Sequence, residues 1–288
     1  MNKKTLLKVA AAGAAIALLA GCSSPAGGDG DKPADGGDAG LTTIVDGTLT
    51  VGLSPDFPPM EYLDGDKLVG ADVDIMTEVA KRLELDVAFE HQKFDQLINS
   101  VRTDRVDVVV SGMSDTVERQ KTLDFVDYYS STGRFYTTPA LAGDFTKAED
   151  ACGASVAVST KTDYYPALQK FSADVCEAKG HDPIEIVGTD SGAAARLQLE
   201  QGRAQLAVQG AENLAYFNQQ TPDTYIIVLD VLNEQPFGAA VRKGNTALAE
   251  AIRDVLQEMH DDGSMADILA TYGLEAGLRE PEINGVTE

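Results

Sequence analysis

The sequence predicts an α/β fold with largely parallel sheets, and two features carry that prediction. From Leu41 onward, short strand-like runs alternate with stretches whose apolar residues recur at helical spacing. Such alternation builds βαβ units. One run, "VDVVV" at 106–110, is apolar enough to be buried on both faces, as strands of parallel sheets are. About 250 residues follow the first forty, enough for one large or two ordinary domains.

The elements follow in order. "TLTVGL" at 48–53 is a strand, and "MEYLDGDKLVG" at 60–70 is a hairpin with Asp64-Gly65 in its turn. From Asp72, the positions Val73, Met76, Val79, Ala80 and Leu83 step as a helix. "VAFE" is a short strand, and Phe94, Leu97, Ile98 and Val101 mark a second helix. After "VDVVV" comes a helix start, with Ser114 or Asp115 as cap and Glu118 in the first turn. The second half repeats the habit. "SVAVS", "IEIV", "AQLAV", "YIIVL" and "FGAAV" read as strands. Residues 164–179, 191–201 and 211–219 read as helices. Leu248, Ile252, Val255 and Met259 line a long helix, and 267–272 is a final short one.

The stretch "VVVSGMSDTVERQ" at 108–120 draws attention to function. A buried strand runs into the small polar loop Ser111-Gly112-Met113-Ser114, and a lone arginine, Arg119, follows at a helix start. In α/β sheets, ligands sit where strand carboxyl ends feed helix N-termini. Unpartnered amides, a favourable helix dipole and a planar guanidinium make that place suited to an anion. A surface ion pair is the plainer use of the same arginine.

The N-terminal residues address compartment. Lys3, Lys4 and Lys8 precede an apolar run at 9–20 and the small residues before Cys22. This is a signal peptide, at 1–21, and the run is too short for a comfortable membrane span. "LAGC" at 19–22 resembles a lipobox, which makes Cys22 the lipidated N-terminus and ties the protein to the membrane. An uncleaved helical anchor is the alternative. Residues 22–40 are rich in Gly, Asp, Pro and Ser and read as a tether.

The chain carries 23 basic and 46 acidic residues; without the leader's three lysines it has 20 against 46, a net −26. That balance disfavours nucleic acid and a polybasic membrane patch. Cys152 and Cys176 remain after Cys22, and in an exported protein an even pair reads as a disulfide, with two free thiols as the alternative. His91, His181 and His260 are scattered, so no metal site is expected. No phosphate loop, nucleophile elbow, HExxH or repeat is present, and no cofactor is implied.

Several motifs converge on a resemblance. "LTVGLSPDFPPMEYLDGDKLVGADVDIMTEVAKRL", "FDQLINSVRTDRVDVVVSGMSDTVERQKTLDFVDYY", "FGAAVRKGN" and "LQEMHDDGSMADILATYG" resemble, in order, family 3 of the bacterial extracellular solute-binding proteins. These are the polar amino acid receptors of ABC importers, many of them lipid-anchored. The resemblance implies two α/β lobes joined by two hinge crossings, near 132–136 and 231–235. Lobe one would be 41–133 plus 236–288, and lobe two 134–235. The order "CGASVAV…VCEAKG" also resembles members with a disulfide in the second lobe.

The resemblance further implies that Arg119 clamps a ligand carboxylate, helped by backbone groups of Ser111, Gly112 and Ser114. Phe57 and Phe94 match positions that sandwich the ligand; ordinary core packing is their alternative. Thr162 and Asp163 fall on contact positions of the opposite lobe. Two acidic positions of the family are altered, to Ser54 and to Gly210. The ligand ammonium then needs Asp163 or Glu212, or the ligand lacks one. Lys161 would meet a second acidic group or stay solvated. The implied protein is a monomeric, non-enzymatic receptor that delivers a small carboxylate-bearing solute to a membrane permease. Cyclohexadienyl dehydratases on the same fold, with Glu212 as acid, and ligand sensors are the rival readings.

Overall fold

The computed structural model describes residues 41–287. β1 (Thr48–Leu53), buried after its first residue, leads into a small antiparallel sheet of β2 (Asp56–Phe57), β3 (Glu61–Asp64) and β4 (Lys67–Val69). α1 (Ala71–Arg82), β5 (Asp86–His91), α2 (Phe94–Arg102) and β6 (Val108–Val109) follow, then the one-turn helix α3 (Val117–Gln120). β7 (Leu123–Thr137) carries the chain into a second set: β8 (Ser155–Ser159), α4 (Tyr164–Phe171), β9 (Glu185–Thr189), α5 (Gly192–Glu200), β10 (Leu206–Gly210) and α6 (Ala211–Gln220). β11 (Ile226–Arg242) returns to the first set, which closes with α7 (Thr246–Asp261), α8 (Ser264–Thr271) and β12 (Leu278–Ile283).

The strands form one mixed sheet in the order β5-β1-β6-β11-β7-β10-β8-β9, with β12 on β7. Each wing is parallel: β5, β1 and β6 on one side, β10, β8 and β9 on the other. The long antiparallel strands β7 and β11 run through both wings and pair with each other from Leu123 to Thr137. Two main cores result, one to a wing, with a smaller buried cluster in each wing as well. Leu49, Ile75, Met76, Val108, Ile252 and Leu256 anchor one, between the first wing and α1 and α7. Phe135, Val156, Val158, Leu168 and Leu206 anchor the other. Each such fully buried side chain contributes about 1.5–3 kcal/mol. The architecture is the two-lobed α/β fold that the sequence motifs imply.

Local differences from the sequence reading have physical causes. The cap of α3 is Thr116, whose hydroxyl accepts from Arg119 N–H, not Ser114 or Asp115. Those two residues are tied elsewhere: Ser114 bridges Phe237, and Asp115 N–H donates to Pro236 O at 2.9 Å. The hairpin turn is Gly65-Asp66, since Asp64 already pairs with Lys67. "YIIVL" and "FGAAV" belong to one strand, β11, bent by register shifts between Val228 and Asn233. The "VDVVV" strand is shorter than its apolar run, pairing only at Val108–Val109.

Where the two long strands cross between wings, Gly133 opposes Asn233. A Cβ at 133 would lie 2.2 Å from Asn233 Oδ1 and 2.9 Å from the Tyr164 ring, so only glycine fits. Cys152 and Cys176 form a disulfide, Cα atoms 5.5 Å apart, at the second core. Closing that loop contributes about 3 kcal/mol on the chain-entropy model. The signal peptide at 1–21, lipidated Cys22 and the tether at 22–40 lie outside the described residues. Among the described residues no helix is long and apolar enough to cross a membrane.

Candidate ligand cleft

A cavity of about 710 Å³, counting its mouth open to solvent, lies between the wings. Its lining comes from the carboxyl ends of parallel strands on both sides, the place the topology reserves for ligands. Phe57, Phe94, Ser111, Gly112, Ser114 and Arg119 line one side; Thr162 and Asp163 line the other. Ser54, Gly210 and Glu212 lie outside the lining.

Arg119 is built in from its own backbone. Its N–H donates to Thr116 Oγ1 at 3.2 Å, which starts α3. Its guanidinium donates from Nη1 to Ser114 O at 2.7 Å and from Nη2 to Lys161 O at 3.5 Å, across the cleft. It stands 5.9 Å from the centre of the Phe94 ring. Burial pulls its pKa down, opposed by Asp163 and then Asp115, and a guanidinium so placed stays charged. The two contacts use two of its five N–H donors, leaving others for an anion.

The loop before it is shaped by close approach. Gly112 has φ 49°, and a Cβ there would sit 2.4 Å from the Phe57 ring. Its N–H donates inward to Asp72 Oδ2 at 3.3 Å. That corrects one expectation: this amide has a partner within the protein and is not a free donor. The Ser111 hydroxyl likewise faces inward, donating to Glu61 Oε1 at 2.6 Å and accepting from Ser54 N–H at 3.0 Å. Ser54 thus acts behind the cavity; its hydroxyl donates to Asp56, which does line it. Glu61 and Asp72 are fully buried, and burial raises both pKa values, that of Asp72 to about 6. Tyr128 donates to Asp72 at 2.6 Å.

The far side differs from the expectation in one respect. Both oxygens of Asp163 are occupied: Oδ1 accepts from Ser114 Oγ and Oδ2 from Asn233 Nδ2, each at 2.7 Å. Asp163 therefore ties the two lobes together, and an ammonium would share it with these two donors. Thr162 is spent locally, donating to Ser159 O at 3.0 Å. Further contacts close the cleft: Asn213 Nδ2 donates to Pro58 O, and the Tyr62 and Tyr216 rings lie 5.3 Å apart.

Gly210 caps the N-terminus of α6, and Glu212 folds back over it. A Cβ at 210 would lie 1.7 Å from Glu212 Oε1, so the carboxylate fills the space an aspartate at 210 would need. Glu212 Oε2 accepts from Ser131 Oγ at 2.9 Å, on β7, while Oε1 has no partner. Burial pushes its pKa up to about 7. It lies outside the lining but within reach of the field of Asp163.

Residues that sequence reasoning missed include Asp56, Gln209 and the Asp190-Ser191-Gly192 turn, all lining the cavity. Ser191 caps α5 by accepting from Ala194 N–H at 3.1 Å. A strand end followed by Asp-Ser-Gly before a helix was the available signal. With them the lining holds three carboxylates, Asp56, Asp163 and Asp190, against one base, Arg119.

The fold and cleft define a two-lobed ligand-binding protein. The chain matches the family model of bacterial extracellular solute-binding proteins, family 3, over residues 49–275, and it belongs to that family. It is 29% identical to the arginine-binding protein ArgT of Corynebacterium glutamicum, over 81% of this chain and 76% of that one. It is 28% identical to the L-cystine-binding protein TcyJ of Escherichia coli K12, over 87% and 89%. Among solved structures it is similar to the ancestral amino acid-binding protein AncCDT-1, a precursor of cyclohexadienyl dehydratase, with TM-score 0.70 and 27% identity over 78% and 95%.

Proposed function

We propose that this protein captures an α-amino acid with a cationic side chain and hands it to an ABC permease. The observation that carries the reading is the charge layout of the cleft: one guanidinium on a prepared mount shares the lining with Asp56, Asp163 and Asp190, and Glu212, with Oε1 unpartnered, lies behind. Arg119 takes the ligand carboxylate through a two-pronged contact. Glu212 takes the α-ammonium in place of the missing aspartate at 210. Asp56 and Asp190 suit a side-chain cation, in keeping with the arginine-binding relative. Phe57 and Phe94 flank the ligand's apolar stem.

The capturing lobes are 41–133 plus 236–288 and 134–235, hinged where β7 and β11 cross. Cys22 is the lipid attachment point, which keeps the receptor beside its permease, as a monomer at the outer face of the membrane. Membership of an extracellular family supports export. The protein is not an enzyme on this reading, in keeping with its membership of a solute-binding family.

Calorimetry decides. L-Arginine and L-lysine are expected to bind most tightly. Nα-acetyl-L-arginine (no ammonium) and agmatine (no carboxylate) are each expected to bind at least about a hundredfold more weakly. Equal binding of agmatine and L-arginine would overturn the carboxylate role of Arg119; tighter binding of uncharged or acidic amino acids would overturn the cationic class.

A further inference from the structure

The family match ends at residue 275, yet the described chain runs on to 287 and folds back across the lobe that carries Arg119. β12 pairs antiparallel with β7, Leu278 opposite Tyr129 and Ile283 opposite Val126. Asn284 then turns in the left-handed region, φ 55°. Its N–H donates to Phe125 O at 3.0 Å; its side chain accepts from Phe125 N–H at 2.9 Å and donates to Asp124 Oδ1 at 2.9 Å. The turn is therefore pinned at its backbone and at both ends of its amide.

What the turn delivers is Val286. Its N–H donates to Asp115 Oδ2 at 3.3 Å, and its carbonyl accepts from Gln120 Nε2 at 2.8 Å. The same amide of Gln120 lies 2.9 and 2.8 Å from the two oxygens of Asp115. Asp115 and Gln120 bracket α3, so Arg119 stands between two residues that the tail grips. Asp115 is fully buried and touches no base; its carboxylate is held by amides. Stripping a buried carboxylate of a donor costs free energy, which a shift of the segment that carries it would relieve. On the opposite flank the loop is fixed to β11 by Asp115 N–H to Pro236 O and Gly238 N–H to Met113 O.

We propose that the C-terminal turn at 284–286 is a positioning element for Arg119. It sets affinity for the ligand carboxylate from outside the cleft, by clamping the two ends of the helix that presents the guanidinium. The inference rests on the reading of Arg119 as the carboxylate clamp. Asn284, Val286, Asp115 and Gln120 touch no ligand; they act through Arg119.

The test compares the full chain with a chain ending at Ile283, and with Asn284→Ala and Gln120→Ala in case the shortened chain folds poorly. Two readouts are used. Hydrogen exchange of the ligand-free protein is expected to quicken about tenfold or more across 111–122 in each variant, with α1 and α5 unchanged. Affinity for L-arginine, the probe, is expected to fall about tenfold, but by less than about twofold when the same change is made on top of Arg119→Ala. That non-additivity separates positioning from general loosening. Unchanged exchange at 111–122 overturns the proposal whatever the ligand is. An equal affinity loss with and without Arg119 overturns it too. If Arg119→Ala alone binds L-arginine like the wild type, the clamp reading fails instead, and the exchange data still decide whether the tail holds the loop.

Discussion

On one side of the cleft Arg119 stands on a capped helix, steadied by two backbone carbonyls and the Phe94 ring. On the other, Glu212 is buried with one oxygen satisfied and one without a partner. Arg119 lines the cavity and Glu212 lies just behind its lining, and the two are held under opposite conditions. The cation is charged before any ligand arrives and its geometry is prepared. The acid is pushed toward neutrality by burial, with a pKa of about 7, and gains a full charge only when a cation comes to meet it. A cleft can thus be ready for one end of a zwitterion and in waiting for the other. The anion end then supplies affinity wherever the ligand carboxylate is ionised, and the ammonium end supplies a part that varies around neutral pH.

The largest effect expected is at Arg119. Arg119→Ala should weaken L-arginine binding by about 2–5 kcal/mol, thirtyfold to several thousandfold, and Arg119→Lys should also weaken it. Thermal unfolding of the ligand-free protein should move little. Calorimetry that finds a loss of only a fewfold would remove the prepared half of the comparison.

Glu212→Gln comes next and should act in two directions. Affinity for α-amino acids should fall about tenfold to a hundredfold, since the ammonium loses its charge partner. Stability of the ligand-free protein at pH 8 should rise, by about 1–3 kcal/mol. The sign follows from linkage. The folded pKa, about 7, lies above the ordinary 4.5, so the folded state holds the extra proton between those values and loses stability as pH climbs through them. Asp72, at about 6, and Asp127, at about 7, add the same sign. Chemical unfolding at pH 5.5 and pH 8 should show the gap between variant and wild type widening with pH. A variant less stable at pH 8 would show that Glu212 is ionised and satisfied in the empty cleft.

Gly210→Asp sharpens the same point. Alone it should cost about tenfold in affinity, because its Cβ collides with Glu212. Paired with Glu212→Ala it should return within severalfold of wild type. If Gly210→Asp alone improves binding, the two residues do not compete for one space.

The smallest effect expected is at the contact between the lobes. Ser114→Ala removes the hydroxyl that holds Asp163. Equilibrium affinity should shift by under about 1 kcal/mol, while stopped-flow association should quicken. Unchanged association would mean that this bond does not gate entry.

The strand-loop-helix around Arg119 was legible because three valines end in small polar residues, a pattern set by local chemistry. Its cap was not, since Ser114, Asp115 and Thr116 all qualify and tertiary bonds to β11 decide among them. The long strands were hidden for a related reason. The sequence pattern marks no strand at 123–137, and pairing with β11 makes one there. Glu212 was visible as an acid near an altered position. Its fold-back over Gly210 depends on a missing Cβ and on Ser131, far away in sequence. Val286 carried no signal at all; its role exists only where the tail meets Asp115.

The bond from Ser114 to Asp163 joins the lobes through protein atoms alone. On the proposed reading, any such bond also favours closure of a receptor that holds no solute, and a closed empty receptor would offer a permease the same outer surface as a loaded one. Empty and loaded copies would then compete for the same docking place, and the empty ones would win by number when solute is scarce. Each 1.4 kcal/mol by which such bonds favour the empty closed form multiplies that futile population about tenfold, until it dominates. The strength of one hydroxyl–carboxylate contact therefore bears on the lowest solute concentration at which import still pays back the receptor's abundance.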